Sequence, residues 1–427
     1  LMVLSVIRLT RKHINPKAGY LAAFAIAGIH IVMWEATTAY IDLATALYTV
    51  LAVDMLLDYR ETGKKSALLA SGAMAGFAAS TKILGAVTVI LVGFWLLVDL
   101  LLDKDKKQTW KAIGLFIAGA MVCLPWYVKS IIFTGNPVYP FLFSIFGGKD
   151  WNAEIAAGYS ASQSRFGMGH GILDLIRMPY NITLYPERFY DAPGFFIGPI
   201  LLIGIPTMLI LIKSRTRKTL GLAAFIIAQI FVWFILTHQS RYLIPTFAIM
   251  AALSSGLIYQ MSSLRSLKIS LWIVFVAVAI FGLSTGPYNI STLASARYPV
   301  ISGEESQTDY LNRKLDIYRA QDYANRNLPA NAKVALFGET RGFYLHRNFV
   351  WADWGHNIIF SQKFTSTEDF IKYLKSQGFT HALINFAILA NEGQGALVRD
   401  AVSRGLFIEE YPQLGAQPRV GLYRIAE

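Results

Sequence analysis

Asp42 stands in the stretch TTAYIDLATALY (37–48), an ionisable group among residues suited to lipid. A carboxylate at such depth is costly, and it ordinarily faces a cavity or an opposite charge. There it could deprotonate or orient a hydroxyl. Glu35 lies just upstream. Lys82 closes GFAASTK, Lys129 follows LPWYV, and His238, Gln239 and Arg241 fall in THQSRYLIP. Fixed cations can hold a phosphate leaving group, and arginine does so with two parallel hydrogen bonds. Each residue also has a plain structural reading. Asp42 could cap a helix, and Glu35 could be an interfacial side chain. Lys82 and Lys129 could snorkel to headgroups, and Arg241 could meet a lipid phosphate. Their convergence on one membrane face is what carries the chemical reading.

The elements that would bring them together are apolar segments. The chain is 54% hydrophobic and 15% charged, whereas a soluble protein carries about a quarter charged residues. Segments at 1–9, 18–34, 41–57, 66–81, 83–102, 112–128, 194–212, 219–237, 242–261 and 269–286 have, after the first, roughly the length that crosses a bilayer. The loops RKHINPK, YRETGKK, DKDKKQTWK, KSRTRK and SSLRSLK are all basic. If each segment crosses once, these loops share one side, which the positive-inside rule makes cytoplasmic. Glu35, Asp42, Lys82, Lys129 and Arg241 then end together on the opposite side. Asp54, Asp58 and Asp99 lie near cytoplasmic ends and are expected to be solvated. The net charge of +12 is explained by these loops, so no nucleic-acid partner is expected. Cys123 is the only cysteine, which excludes an internal disulfide framework. The opening LMVLSVIRL has no signal-peptide layout and reads as the tail of a helix that starts upstream.

The expected fold class is therefore an α-helical polytopic membrane protein, with about ten transmembrane segments of which the first is partial, and a small C-terminal extracytoplasmic α/β domain. The expected domains are 1–286, including an outer loop at 129–193, and 287–427. In the second, KVALFG, HALINF, LFIEEY and VGLYRIA read as strands. STEDFIKYLKSQG (366–378) reads as an amphipathic helix with an N-cap at Ser366 or Thr367 and a stop at Gly378. Within 129–193, NPVYPFLFSIFGG and GILDLIRMPYNI are too short or broken to span, and they fit interfacial helices.

A carboxylate, cations at the same depth and a groove between helices suit sugar transfer from a polyprenyl-phosphate carrier. TTAYIDLATALYTVLA, GFAASTKILG, PWYVKSIIFTGNPVYPF, MPYNITLYPERF, RYLIP and LFGETRGFYL, in that order, resemble the polytopic GT-C glycosyltransferases of the protein-mannosyltransferase and aminoarabinose-transferase type (family 39-like). The resemblance covers nearly the whole chain. It implies that Asp42 handles acceptor or metal, and that Lys82 and Arg241 contact the donor phosphate, with Lys129 a weaker candidate. It also implies that the NPVYP region, with Tyr139, lines the cavity, that a divalent metal ion takes part, and that the sugar is inverted. In such enzymes the principal catalytic carboxylate lies in the first outer loop. Side counting makes segment 1–9 the second helix, so that loop is not among these residues: either it lies upstream and carries the principal base, or the protein lacks it and is an inactive homologue.

The candidate set is thus Asp42 and Glu35 for catalysis and Lys82, Arg241 and Lys129 for the donor phosphate. Glu339, Arg341 and Tyr139 are candidate acceptor contacts, with a structural ion pair as the alternative for the first two. The metal ligands are not identified: Asp353 and His356 in WADWGHN lack a third partner. NIT at 181–183 matches a glycosylation sequon, a pattern common by chance. The expected partners are membrane lipid, a lipid-linked sugar and a protein, lipid or glycan acceptor, in a bacterial inner membrane. The rival reading is a non-catalytic membrane scaffold subunit of a larger complex. A secondary transporter fits less well, because the halves are unlike and the polar residues gather at one face.

Overall fold

The computed structural model describes residues 1–102, 106–190, 197–211, 216–260, 265–284, 290–353, 360, 364–411 and 420–426. In chain order the first helices are α1 (Met2–His13), α2 (Gly19–Ala27), α3 (His30–Glu35), α4 (Asp42–Thr62), α5 (Lys65–Thr81), α6 (Ala86–Leu102), α7 (Lys106–Ala120) and α8 (Leu124–Thr134). There follow α9 (Phe143–Phe146), α10 (Ala153–Ser164), α11 (Ile172–Leu184), α12 (Ile200–Leu211), α13 (Arg217–Leu236), α14 (Ile244–Gln260), α15 (Arg265–Ser284) and α16 (Ile290–Ser302). The last part holds α17 (Gln307–Lys314), α18 (Tyr318–Asn327), β1 (Lys333–Phe337), β2 (Asn348–Trp351), α19 (Thr367–Ser376), β3 (His381–Asn385), α20 (Gln394–Ser403), β4 (Phe407–Tyr411) and β5 (Val420–Ile425). Two compact units result: Leu1–Ile132 with Ser162–Ala296, and Phe133–Ala161 with Arg297–Glu427.

The first unit is a helical membrane body. Trp110–Thr134, Arg217–Leu236, Ser240–Gln260 and Arg265–Ser284 are long and apolar enough to cross a bilayer. Ile83–Asp99 and Ile200–Leu209 are apolar but shorter. α4 has the length, yet Asp42, Asp54, Asp58, Arg60 and Glu61 interrupt its apolar run. Every residue of α14 from Ile244 to Ile258 is buried, as expected of a helix apolar all round at the centre of a body. α15 buries only Phe275 and Ala279, and leaves Ile269, Ile273, Ile280 and Phe281 for lipid. Small residues bring helices close where lipid supplies little drive to associate. A Cβ on Gly119 of α7 would fall 2.2 Å from the Leu69 carbonyl oxygen of α5, and one on Gly72 would fall 2.1 Å from that of Phe116.

Three expectations for this unit change. The segment expected to cross at 18–34 is divided into α2 and α3, with Ile29 extended between them. The helix expected to end at 128 runs on to Thr134, broken only by a 3-10 turn at Met121–Cys123. Asp54 and Asp58 are buried rather than solvated. Arg8 Nε and Nη2 reach Asp54 and Asp58 at 2.6 and 2.9 Å, Lys12 pairs with Asp58, and His13 Nε2 lies 3.0 Å from Asp54. Within the 129–193 stretch, α11 is amphipathic, with Ile172, Leu173, Ile176 and Tyr180 exposed along it and Asp174 closing its first turn onto the Gly171 N–H.

The second unit holds a five-stranded sheet in the order β2-β1-β3-β5-β4. β1 pairs in parallel with β2 and β3, while β5 runs antiparallel to β3 and β4. Alternation along β1 builds two cores. Ala335 and Phe337 join Phe370 and Leu374 of α19, whereas Val334 and Leu336 join Ala320 and Ala324 of α18. The predicted helix is present, with Ser366 Oγ accepting from the Asp369 N–H and Gly378 at φ 76°. β2, α18 and α20 lacked a readable signal.

Candidate functional site

Asp42 is the first residue of α4, and its Oδ2 accepts no hydrogen bond from the first turn. Its carboxylate goes instead to Lys82, with Nζ donating to Oδ1 at 2.8 Å. Lys82 is delivered by a break in the helical path. α5 ends at Thr81, and Lys82 is extended at φ −156°, ψ 143°. A 3-10 turn at Ile83–Gly85 then leads into α6. A Cβ on Gly85 would stand 1.9 Å from the Ala78 carbonyl oxygen, so only glycine lets the chain double back this tightly. The pair is largely removed from solvent, with side-chain exposures of 4% for Asp42 and 21% for Lys82.

Tyr242 supplies the third wall. Lys82 Nζ lies 3.7 Å from its ring centroid, within cation–π range. Arg241 donates from Nη2 to the Tyr242 hydroxyl at 3.0 Å, and its guanidinium lies over the rings of Tyr242 and Tyr40 at 5.0 and 5.3 Å. Both residues belong to the 3-10 turn Ser240–Leu243 that opens into α14. That turn is tied to α13 by Trp233, whose Nε1 donates to the Gln239 carbonyl at 2.7 Å.

Asp42, Lys82 and Tyr242 line a narrow cleft of about 50 Å³, room for a few water molecules. Its polar lining comes from Thr45, Thr88, Gln229 and Thr246, and its apolar lining from Leu84, Val87, Val232 and Leu236. Thr88 Oγ1 lies 2.8 Å from Thr49 Oγ1, and Thr246 Oγ1 donates to Gln229 Oε1 at 3.1 Å, which fixes α4 to α6 and α13 to α14. Arg241 reaches this cleft through Tyr242 rather than by lining it.

Glu35, at the end of α3, is 2% exposed. Its charge interacts with those of Asp42, Lys82 and Arg241. The Leu43 amide in the first turn of α4 faces the Glu35 carboxylate, while Oδ2 of Asp42 has no hydrogen-bond partner among the described residues. Buried carboxylate oxygens are rarely left so. They are the right donor type for a hard divalent cation, whose remaining positions water or phosphate oxygens would complete.

A family model described as a domain of unknown function (DUF8201) matches residues 1–248. The chain belongs to this family. No curated protein matches it. The DUF8201 chain is similar in structure to the aminoarabinose transferase ArnT of Cupriavidus metallidurans in its apo state, with a TM-score of 0.60 and 16% identity over 99% of this chain and 81% of that one. It is equally similar to ArnT bound to undecaprenyl phosphate, with a TM-score of 0.61, 16% identity and the same coverage. An oligosaccharyltransferase of Archaeoglobus fulgidus, in complex with zinc and sulfate, gives a TM-score of 0.57 at 13% identity over 99% of this chain and 59% of that one. The DUF8201 chain has the GT-C fold of these proteins, as the ordered motifs led us to expect.

The other candidates have these surroundings. Lys129 is exposed on α8, its Nζ 5.1 Å from the Trp126 ring. Tyr139, in the second unit, packs edge-on against Trp151 at 5.8 Å, in a loop organised by buried Asn136, whose Nδ2 donates to the Phe141 and Gly147 carbonyls. Glu339 accepts from Arg341 Nε and Nη2 at 2.7 and 2.6 Å, from the Thr340 and Arg341 amides, and from Asn385 Nδ2 at 3.0 Å. Burial opposes its charge, yet these donors prevail and hold its carboxyl below the usual range. Asp353 accepts from the Gly338 amide and Trp351 Nε1, while His356 lies outside the described residues. Among the described residues, ligand atoms of His13, Asp58 and Glu61 also come within 4.8 Å of one another. Lys12 and Lys218 already compensate those carboxylates.

Sequence reasoning missed Tyr40, Tyr242, Gln229 and Thr246. Tyr242 sat inside the quoted RYLIP motif. An aromatic next to a cation in an apolar protein carries little signal until both are seen around a second cation.

Proposed function

We propose that this protein is an integral-membrane glycosyltransferase that moves a sugar from a polyprenyl-phosphate-linked donor to an acceptor at the extracytoplasmic face. One observation carries the reading: Asp42, Lys82, Tyr242 and Arg241, from distant parts of the chain, form one connected group beside a cleft at a common end of the helices. The likeness to a protein solved with undecaprenyl phosphate supports the choice of donor. The basic loops at the opposite helix ends support the sidedness, with the bulk of 1–286 in a bacterial inner membrane and 287–427 outside it.

In this reading Lys82 takes the donor phosphate, with Arg241 adding positive charge through Tyr242. Asp42, released from Lys82 by the incoming phosphate, accepts the proton of the acceptor hydroxyl or amine through Oδ2. The nucleophile attacks the anomeric carbon, the carbon–oxygen bond to phosphate breaks, and its electron pair stays on the phosphate beside Lys82. Two cations, Lys82 and Arg241, face two carboxylates, Glu35 and Asp42, so even with both carboxylates ionised the group presents no net negative charge to an arriving phosphate. A divalent ion held by Glu35 and Asp42 would supply further charge for the leaving phosphate.

The test is sugar transfer in membranes from labelled polyprenyl-phosphate sugars. Asp42→Asn and Lys82→Gln are each expected to lower the rate by about 10²-fold or more. Wild-type rates in both would sink the assignment.

A further inference from the structure

The opposite end of the bundle carries a second amphiphilic hollow. From Asp42 to Arg60 α4 rises about 27 Å, so this hollow lies nearly a membrane thickness from the cleft. Its polar part, about 570 Å³, is lined by Arg60, Arg217 and Lys218 against Glu61 and Asp99, one cation in excess. It shares Arg60, Asp99, Leu102 and Arg217 with an apolar groove of about 340 Å³ between α6 and α13.

The groove has the features of a chain-binding channel. Trp95 and Phe225 form its buried floor, with centroids 6.4 Å apart. Phe94 stands exposed at its side. Gly221 lets the Trp95 ring lie close against α13, since a Cβ there would fall 2.1 Å from it. Along α6 the lining runs from Leu91 to Leu102, about 16 Å of helix, which matches one leaflet of a hydrocarbon core about 30 Å thick. At the junction of the two parts, Arg60 is held by Asp99 through Nε at 2.9 Å and Nη2 at 3.0 Å and lies 5.4 Å over the Trp95 ring. Its buried Nη1 has no hydrogen-bond partner among the described residues. Lys218 is engaged by Glu61 at 2.6 Å, while Arg217 is exposed at the mouth. Basic pockets between membrane helices that open onto an apolar groove suit anionic lipid headgroups.

We propose that this hollow is a lipid site taking an anionic phospholipid, its phosphate at Arg60 and Arg217 and one acyl chain along the α6–α13 groove. The site is independent of the transferase reading. Native mass spectrometry of the delipidated protein, mixed with equal amounts of dioleoyl phosphatidylglycerol and dioleoyl phosphatidylcholine, tests it. The phosphatidylglycerol adduct should be retained about fivefold over phosphatidylcholine, and Arg217→Gln should remove that preference. Ala224→Phe, at an exposed groove position, should displace both lipids while the melting temperature stays unchanged. Equal retention of the two lipids by the wild type overturns the proposal, as does full phosphatidylglycerol retention in both variants. Retention of glycerophosphoglycerol alone would make the site an ion site and overturn it too. Preference for a polyprenyl phosphate over phosphatidylglycerol would reassign the occupant and overturn it equally.

Discussion

Lys82 is held between a carboxylate 2.8 Å away and an aromatic face 3.7 Å away, so its loss has two separable effects. Lys82→Gln leaves Asp42 buried without its cation, which costs about 3–5 kcal/mol. Asp42→Asn with Lys82→Gln removes both charges and is expected to recover most of that loss. Chemical denaturation in detergent measures both, and equal stability of single and double variants would contradict the pairing. In the second unit, Glu339 has a folded pKa below its unfolded one. Its contribution to stability is therefore complete above the unfolded value of about 4.3 and is lost as pH falls through the folded value. Hydrogen exchange of 333–385 should show protection falling below about pH 4, and Glu339→Gln should flatten that dependence. An unchanged profile in the variant would count against it.

At the scale of elements, the site depends on where α5 stops. Gly85→Ala places a Cβ against the Ala78 carbonyl, so the turn must open and Lys82 must shift. The expected cost is about 1–3 kcal/mol, together with loss of the proposed transfer activity. A melting temperature equal to wild type would show that the turn absorbs the methyl. Much at this scale was legible in advance. Helices lie within the predicted apolar segments, because long apolar runs have one solution in lipid, but 18–34 divides into α2 and α3 and four helices among the described residues have the length and hydropathy of a full crossing. The strands of KVALFG, HALINF, LFIEEY and VGLYRIA are also present, because short apolar runs between turn signals leave few alternatives. Other features depend on partners far along the chain. Asp54 and Asp58 looked solvated because Arg8 and His13 are 46 and 45 residues away, respectively, from Asp54 and Asp58. The helix carrying Lys129 continued because nothing in KSIIFT breaks it. Lys82 and Arg241 were readable as cations at one face, but Tyr242 as the link between them was not.

At the scale of the molecule, α4 separates two charged ends. Asp42 marks one, and Asp54, Asp58, Arg60 and Glu61 mark the other. The positive-inside argument assigns the second end to the cytoplasm. With Cys123 replaced, Ala39→Cys and Lys64→Cys, both at exposed positions, should react with an impermeant maleimide from opposite sides of right-side-out vesicles, Ala39→Cys from outside. Labelling of both from one side would break the alternation of crossings. The resting cleft, finally, admits only a few waters, and a phosphosugar is far larger. Under the proposed function, a donor phosphate that takes Lys82 parts it from Asp42, so capture of substrate and unmasking of the carboxylate become a single event. In that reading, such a resting state would keep Asp42 latent between cycles and limit hydrolysis of the donor before an acceptor arrives.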